Sequence, residues 1–111
     1  MSKTARRFNY AEKACVRWGG NLASFQNKEE ETKVAKLMSG DKNAYWIGLT
    51  EKGRNGNWMW TDGTAYDYAN WQPGEPNNWD GKDEDCVLIN YFGKTKKWHD
   101  GLCDMPLKYV C

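Results

Sequence analysis

The chain lacks long apolar runs, strong net charge and all but one histidine. None of its 111 residues lies in a stretch approaching the ~20 apolar residues that a membrane-spanning helix requires. With a net charge of +1 there is no global basic field to draw nucleic acid or insert the chain at an anionic membrane. Residues 1–7 are not followed by the apolar core of a secretory leader, so no signal peptide is expected. There is no Gly-x-Ser-x-Gly nucleophile elbow and no Cys-x-x-Cys pair, and the lone His99 is not spaced from any cysteine as in a zinc site. Only 40% of residues are hydrophobic and mean hydropathy is −0.93, which predicts a small core. The length suffices for one domain, residues 1–111, and not for two. No internal repeat, low-complexity tract or linker interrupts it.

What is present is seven tryptophans and four cysteines, Cys15, Cys86, Cys103 and Cys111. An even count in a short polar domain reads as two disulfides supplementing a modest core, and hence an oxidising compartment. Three pairings are open to four cysteines, and four reduced thiols in a cytosolic protein is the competing reading. A Cys15–Cys111 bridge would close nearly the whole chain, worth about 4–5 kcal/mol in the chain-entropy model.

The first third has helical periodicity. Asn9 with Glu12 three residues on resembles a capping box, and Tyr10, Ala11, Ala14, Cys15 and Trp18 fall on one helical face before Gly19-Gly20. A second helix is expected from about Lys28 to Met38, with Asn27 and Glu30 at its start and Val34, Leu37 and Met38 as its apolar side. Beyond it, Tyr45 to Leu49, Trp58 to Trp60, Cys86 to Tyr91, Lys97-Trp98 and Lys108 to Cys111 read as short strands, with a turn at 54–57. Helices followed by strands predict an α+β fold. Residues 61–85 match no regular element, and a loop of that length in a compact domain is usually functional or disordered; its aromatic anchors argue for function.

Charge is uneven. Residues 1–42 carry nine basic and five acidic side chains, whereas residues 75–85 hold five carboxylates against Lys82 alone. Carboxylates crowded with the amides of Asn77 and Asn78 are costly unless solvated, protonated or neutralised by an ion, and oxygen-only donors suit Ca²⁺. No EF-hand array is present. A solvated acidic loop is the plainer alternative. A proline between two oxygen donors, as in Glu75-Pro76-Asn77, can place both side chains on one side of a turn through a cis bond.

With these residues the chain resembles the C-type lectin-like domain. The matching motifs are Gly19-Gly20-Asn21-Leu22-Ala23-Ser24, Trp46-Ile47-Gly48-Leu49, Trp58-Met59-Trp60-Thr61-Asp62-Gly63, Asn70-Trp71, Gly74-Glu75-Pro76-Asn77-Asn78, Glu84-Asp85-Cys86-Val87, Trp98-His99-Asp100 and Cys103, and they run from about Phe8 to Cys111. The resemblance implies two helices packed on small antiparallel sheets, a long calcium-binding loop, and disulfides Cys15–Cys111 and Cys86–Cys103. It implies Ca²⁺ held by Glu75, Asn77, Glu84 and Asp100, with His99 completing or bordering the site. The same residues would meet two adjacent hydroxyls of a sugar. The Glu-Pro-Asn version resembles lectins for mannose, fucose, glucose or N-acetylglucosamine. An auxiliary metal site from Glu51, Asn55, Asn78 and Asp85, with Glu84, is conceivable.

Three departures from the family pattern bear on this expectation. His99 stands where the family has Asn, and imidazole nitrogen is a poorer Ca²⁺ ligand than an amide oxygen. Trp79 can stack on the apolar face of a sugar, as in galactose binders, or pin the loop by burying itself. The chain also begins after the family's usual first strand, leaving residues 1–7 as an extension. Expected partners are glycans or glycoconjugates, with avidity from an oligomer, at an extracellular location. A domain of this fold that binds protein or ice instead is the alternative. Enzyme activity has little support, although Glu75 and Glu84 could imitate the acid pair of a glycosidase.

Overall fold

The computed structural model describes residues 2–51, 58–75, 85–93 and 96–111, apart from the side chain of Phe92. The 54–57 turn and the site candidates Asn55, Asn77, Asn78, Trp79 and Glu84 lie outside the described residues.

Helix α1 spans Phe8–Arg17 and α2 spans Lys28–Leu37. The first begins earlier than the capping pattern at Asn9 suggests. Arg7 is its N-cap and makes no side-chain cap bond. Glu12 instead reaches away from the helix, accepting from the Leu22 amide at 2.9 Å, Asn21 Nδ2 at 2.7 Å and Thr61 Oγ1 at 2.9 Å. The inward face is Phe8, Ala11 and Cys15, while Tyr10 and Trp18 are exposed. Gly19, at φ +101°, ends the helix in a Schellman motif, with the Gly20 amide on the Cys15 carbonyl and the Gly19 amide on that of Val16.

At α2 the expected cap forms: Asn27 Oδ1 accepts from the Glu30 amide at 2.9 Å, and Glu30 returns to the Gln26 amide. Its inward side differs from the apolar reading. Leu37 is exposed, and Glu31 is buried in company with Met38.

The strands are β1 (Tyr45–Glu51), β2 (Trp58–Trp60), β3 (Cys86–Ile89), β4 (His99–Gly101) and β5 (Lys108–Tyr109). Among the described residues they form one sheet with order β2-β1-β3-β4, and β5 pairs parallel with β1 while the other strand pairs are antiparallel. One edge of β1 meets β3; the other meets β5 at Tyr45 and Trp46, then β2 from Leu49 to Glu51. Strand β3 stops short of Tyr91 because Asn90 turns into the left-handed region at φ +57°, where its amide donates to the Asp41 and Asn43 carbonyls. A single 3₁₀ turn, Tyr91–Gly93, follows.

Period-two alternation buries both faces of the sheet. Tyr45, Ile47, Leu49, Val87 and Ile89 join Phe25, Met38, Trp60 and Trp98 on one face. Trp46, Cys86 and Leu88 join Phe8, Ala11, Cys15 and Leu22 on the other. Disulfides Cys15–Cys111 and Cys86–Cys103 tie α1 to the last residue and β3 to the segment after β4. Residues 2–6 run beside residues 107–109, where Arg6 and Leu107 exchange both backbone hydrogen bonds at 2.8 and 3.0 Å. This segment therefore supplies a pairing partner for the end of the chain.

Gly48 is fixed by space. A Cβ there would lie 2.8 Å from the Leu22 carbonyl oxygen and 2.9 Å from Thr61 Oγ1. The segment after α1 crosses β1 at this point, with the Gly48 amide on the Ala23 carbonyl at 2.8 Å. Gly48→Ala should lower stability by about 1–3 kcal/mol through overpacking; urea unfolding of the oxidised protein measures it, and an unchanged midpoint would contradict this packing.

Candidate functional site

Strand β4 is the outer strand of the sheet, so alternate backbone groups face away from β3. Trp98 begins this outward row: its amide donates to the Asn70 carbonyl at 2.8 Å, and its carbonyl accepts from the Gln72 amide at 3.0 Å. The irregular segment is thus docked along the edge. Gln72-Pro73-Gly74-Glu75 then closes a turn, with the Glu75 amide on the Gln72 carbonyl at 2.9 Å and Gly74 at φ +91°. Proline followed by glycine at positive φ is what a type II turn requires. The turn returns Glu75 to the strand, where its Oε2 lies 3.4 Å from the Asp100 amide. The glutamate carboxylate continues the ladder that the backbone began.

His99 Nδ1 lies 3.6 Å from Glu75 Oε1, and the imidazole stacks on Tyr91 with ring centroids 4.4 Å apart. Burial lowers the His99 pKa below its ordinary value, against an opposing pull from the Asp100 charge, so the ring is mainly neutral at pH 7. Its Nε2 is buried and has no hydrogen-bond partner among the described residues. Asp100 is itself buried.

What holds Trp98, and with it His99 and Asp100, is Glu31. This buried carboxylate accepts from Tyr68 Oη at 2.6 Å, Asn70 Nδ2 at 2.8 Å and the Trp98 indole nitrogen. Helix α2, the irregular segment and the approach to β4 therefore share one acceptor. Around the Trp98 ring, Trp60, Tyr68 and Trp71 make edge-on contacts. Trp58 and Trp71 pack on each other.

A second acidic pair lies at the far end of β1. The Asp85 carbonyl accepts from the Glu51 amide at 2.9 Å and Thr50 Oγ1 at 2.8 Å. Glu51 is buried, and Asp85 Oδ1 is buried without a hydrogen-bond partner among the described residues.

Of the ten candidate residues, the structure brings Glu75, His99 and Asp100 together and sets Glu51 beside Asp85; the other five lie outside the described residues. Glu75 and Asp100 provide oxygen donors of the kind a hard cation takes, and the unpartnered Asp85 oxygen is another. Among the described residues, no three His, Cys, Asp or Glu side chains gather into a complete metal site. Sequence reasoning missed Glu31, Tyr91 and the Pro73-Gly74 turn. For Glu31 a signal existed, since it falls at i, i+3 and i+7 with Val34 and Met38 on the inward stripe.

A family model described as the lectin C-type domain matches residues 4–111. The chain belongs to the C-type lectin domain family. This C-type lectin domain is 41% identical over 105 residues to the lactose-binding lectin l-2 of Anguilla japonica, covering 91% of this chain and 62% of that protein. To the galactose-specific lectin nattectin of Thalassophryne nattereri it is 35% identical over 104 residues, covering 91% and 64%. The domain thus spans a little under two thirds of both relatives. Among solved structures it resembles the mouse scavenger receptor C-type lectin carbohydrate-recognition domain, with a TM-score of 0.86, 32% identity and coverage of 97% and 82%. It also resembles a calcium-independent type II antifreeze protein, with a TM-score of 0.83, 32% identity and coverage of 96% and 77%. The fold is the C-type lectin fold, and a protein described as calcium-independent shares it.

Two measurements test how the domain holds this edge. Glu31→Ala strands three donors and should cost about 3–5 kcal/mol in urea unfolding; a loss below about 1 kcal/mol would show that the carboxylate is not the shared anchor. Burial first, then the bond to Glu31 and its charge, push the Tyr68 phenol well above its ordinary value of 10.0. Its contribution is therefore complete below the unfolded value and lost as pH rises above it. Stability of the native domain should fall more steeply above pH 10.0 than that of Tyr68→Phe; parallel alkaline profiles would contradict the assignment.

Proposed function

We propose that the loop carried on the β4 edge is a calcium-dependent carbohydrate site that binds without chemistry. The observation that carries this reading is the convergence of Glu75 with His99 and Asp100, 25 residues apart for the Glu75–Asp100 contact. Glu75, Asn77, Glu84 and Asp100 would hold Ca²⁺, which when bound supplies a centre able to take two adjacent sugar hydroxyls. The carboxylates of Glu75 and Glu84 accept hydrogen bonds from those hydroxyls, and the Asn77 amide donates to them. His99, neutral and stacked on Tyr91, borders the site as a donor or acceptor of a further hydroxyl. The Glu51–Asp85 pair, with Asn55 and Asn78, is the candidate for an auxiliary ion.

The order Glu75-Pro76-Asn77 favours the mannose, fucose, glucose or N-acetylglucosamine type. Galactose is the second reading, favoured by the two relatives named for galactose and lactose and by an aromatic, Trp79, in the loop. Similarity to an antifreeze protein keeps a sugar-free, calcium-independent role as the competing class. A shallow polar site binds weakly, so several copies on one scaffold would provide avidity. The disulfides accord with a secreted domain or an ectodomain, and among the described residues no helix is long and apolar enough to cross a membrane.

Retention on immobilised mannose and galactose in millimolar CaCl₂, followed by EDTA, tests the reading. Retention on mannose with release by EDTA is expected; flow-through of oxidised protein on both resins would overturn it. Glu75→Gln with Asn77→Asp exchanges acceptor and donor positions and should shift retention towards galactose. An unchanged sugar profile would remove these two residues from the site.

A further inference from the structure

The apolar face that the α1 pattern predicts divides in two, and half of it stays uncovered. Phe8, Ala11 and Cys15 turn inward, but Tyr10, Ala14 and Trp18 form an i, i+4, i+8 stripe on the outer side. Tyr10 is 56% and Trp18 81% exposed. Residues 2–6, lying beside residues 107–109, form the opposite bank. Between the banks are two adjoining concavities that share Ala14 and Tyr109. One, of about 280 Å³, is lined by Ser2, Lys3, Trp18 and Cys111. The other, of about 250 Å³, is lined by Arg6, Tyr10 and Arg17.

No acidic side chain lines either concavity. The one glutamate of α1, Glu12, is engaged with Asn21, Leu22 and Thr61. The cations Lys3, Arg6 and Arg17 are exposed, and Lys13 sits over the Tyr10 ring, 5.5 Å from its centroid. The surface thus alternates aromatic rings with exposed positive charge. Its ligand must offer anions and flat apolar faces at matching intervals.

We propose that this groove is a second, calcium-independent binding site for a sulfated oligosaccharide. Each concavity is of a size for one pyranose ring. The C–H face of a pyranose packs on an exposed indole or phenol ring such as Trp18 or Tyr10. Sulfate oxygens match the planar fork of a guanidinium, which Arg6 and Arg17 present on opposite banks. A nucleic acid would satisfy the charges, but the disulfides place the domain in an oxidising compartment and the chain lacks a global basic field. The groove adjoins β5, on the edge of β1 opposite β3, whereas the Glu75 site lies on β4 beyond β3. The two sites share no residue, so the groove stands or falls independently of the loop.

Titration calorimetry in EDTA decides it, using a heparin-derived hexasaccharide, its desulfated form and a single-stranded oligonucleotide of equal charge. The sulfated hexasaccharide should bind at least about tenfold more tightly than either other probe, and bind equally well in CaCl₂. Trp18→Ala, and Arg6→Ala with Arg17→Ala, should each weaken it by about tenfold, because each removes one of the two recognition elements. All three side chains are exposed, so far-ultraviolet circular dichroism should be unchanged, as should retention on whichever neutral sugar the loop binds. Equal binding of the desulfated form or the oligonucleotide, or variants that bind as the parent does, would overturn the proposal.

Discussion

A buried carboxylate with three donors is the constraint from which the site is built. Glu31 takes hydrogen bonds from Tyr68, Asn70 and Trp98, which come from two segments far from it and from each other in sequence. A charge taken out of water is tolerated when its lone pairs are met, and each donor so engaged is then fixed in turn. Fixing Asn70 and Trp98 sets the register of the edge pairing, in which the Trp98 amide meets the Asn70 carbonyl and the Gln72 amide meets the Trp98 carbonyl. That register decides where the Pro73-Gly74 turn falls, and so where Glu75 returns to meet Asp100. An error of one residue would place the wrong side chain at the ladder's end.

The sheet and its helices were legible because their signals are local. Trp46-Ile47-Gly48-Leu49 alternates between two buried faces, and Gly48 is the residue whose backbone takes the crossing of Leu22-Ala23. Asn27 with Glu30 announced α2 correctly, since a cap needs only neighbours in sequence. At α1 the same pattern misled. Asn9 and Glu12 have capping spacing, but Glu12 finds better donors in the tertiary structure, and the Phe8 amide is already met by the Cys103 carbonyl. Local propensity yielded to contacts that no window of sequence contains.

The same distinction applies to the site. Glu75, His99 and Asp100 could be named from motif, because their chemistry is in their residue types. Their support is harder to see, since Glu31 has the inward spacing of Val34 and Met38 but the residue type of a solvated charge, and Tyr91 reads as the end of a strand. Both acquire their roles only when β3 ends at Asn90 and α2 turns a glutamate inward. His99 also gains its character from packing, since its ring stacks on Tyr91 and burial lowers its pKa from the ordinary value.

An outer strand with free amides invites pairing with other chains unless something covers it. Here residues 70–72 and the Glu75 carboxylate cover the β4 edge, and Trp71 closes over Trp98 from the same segment. The segment that presents the candidate ligands is therefore also the guard of the sheet and part of the lid on its aromatic core. Substitutions that loosen it would expose backbone and indole surface together with any loss of binding. That coupling explains why a stretch without regular secondary structure carries Tyr66, Tyr68 and Trp71 as anchors: without them, the chemistry at Glu75 would have no fixed place on the edge it depends on.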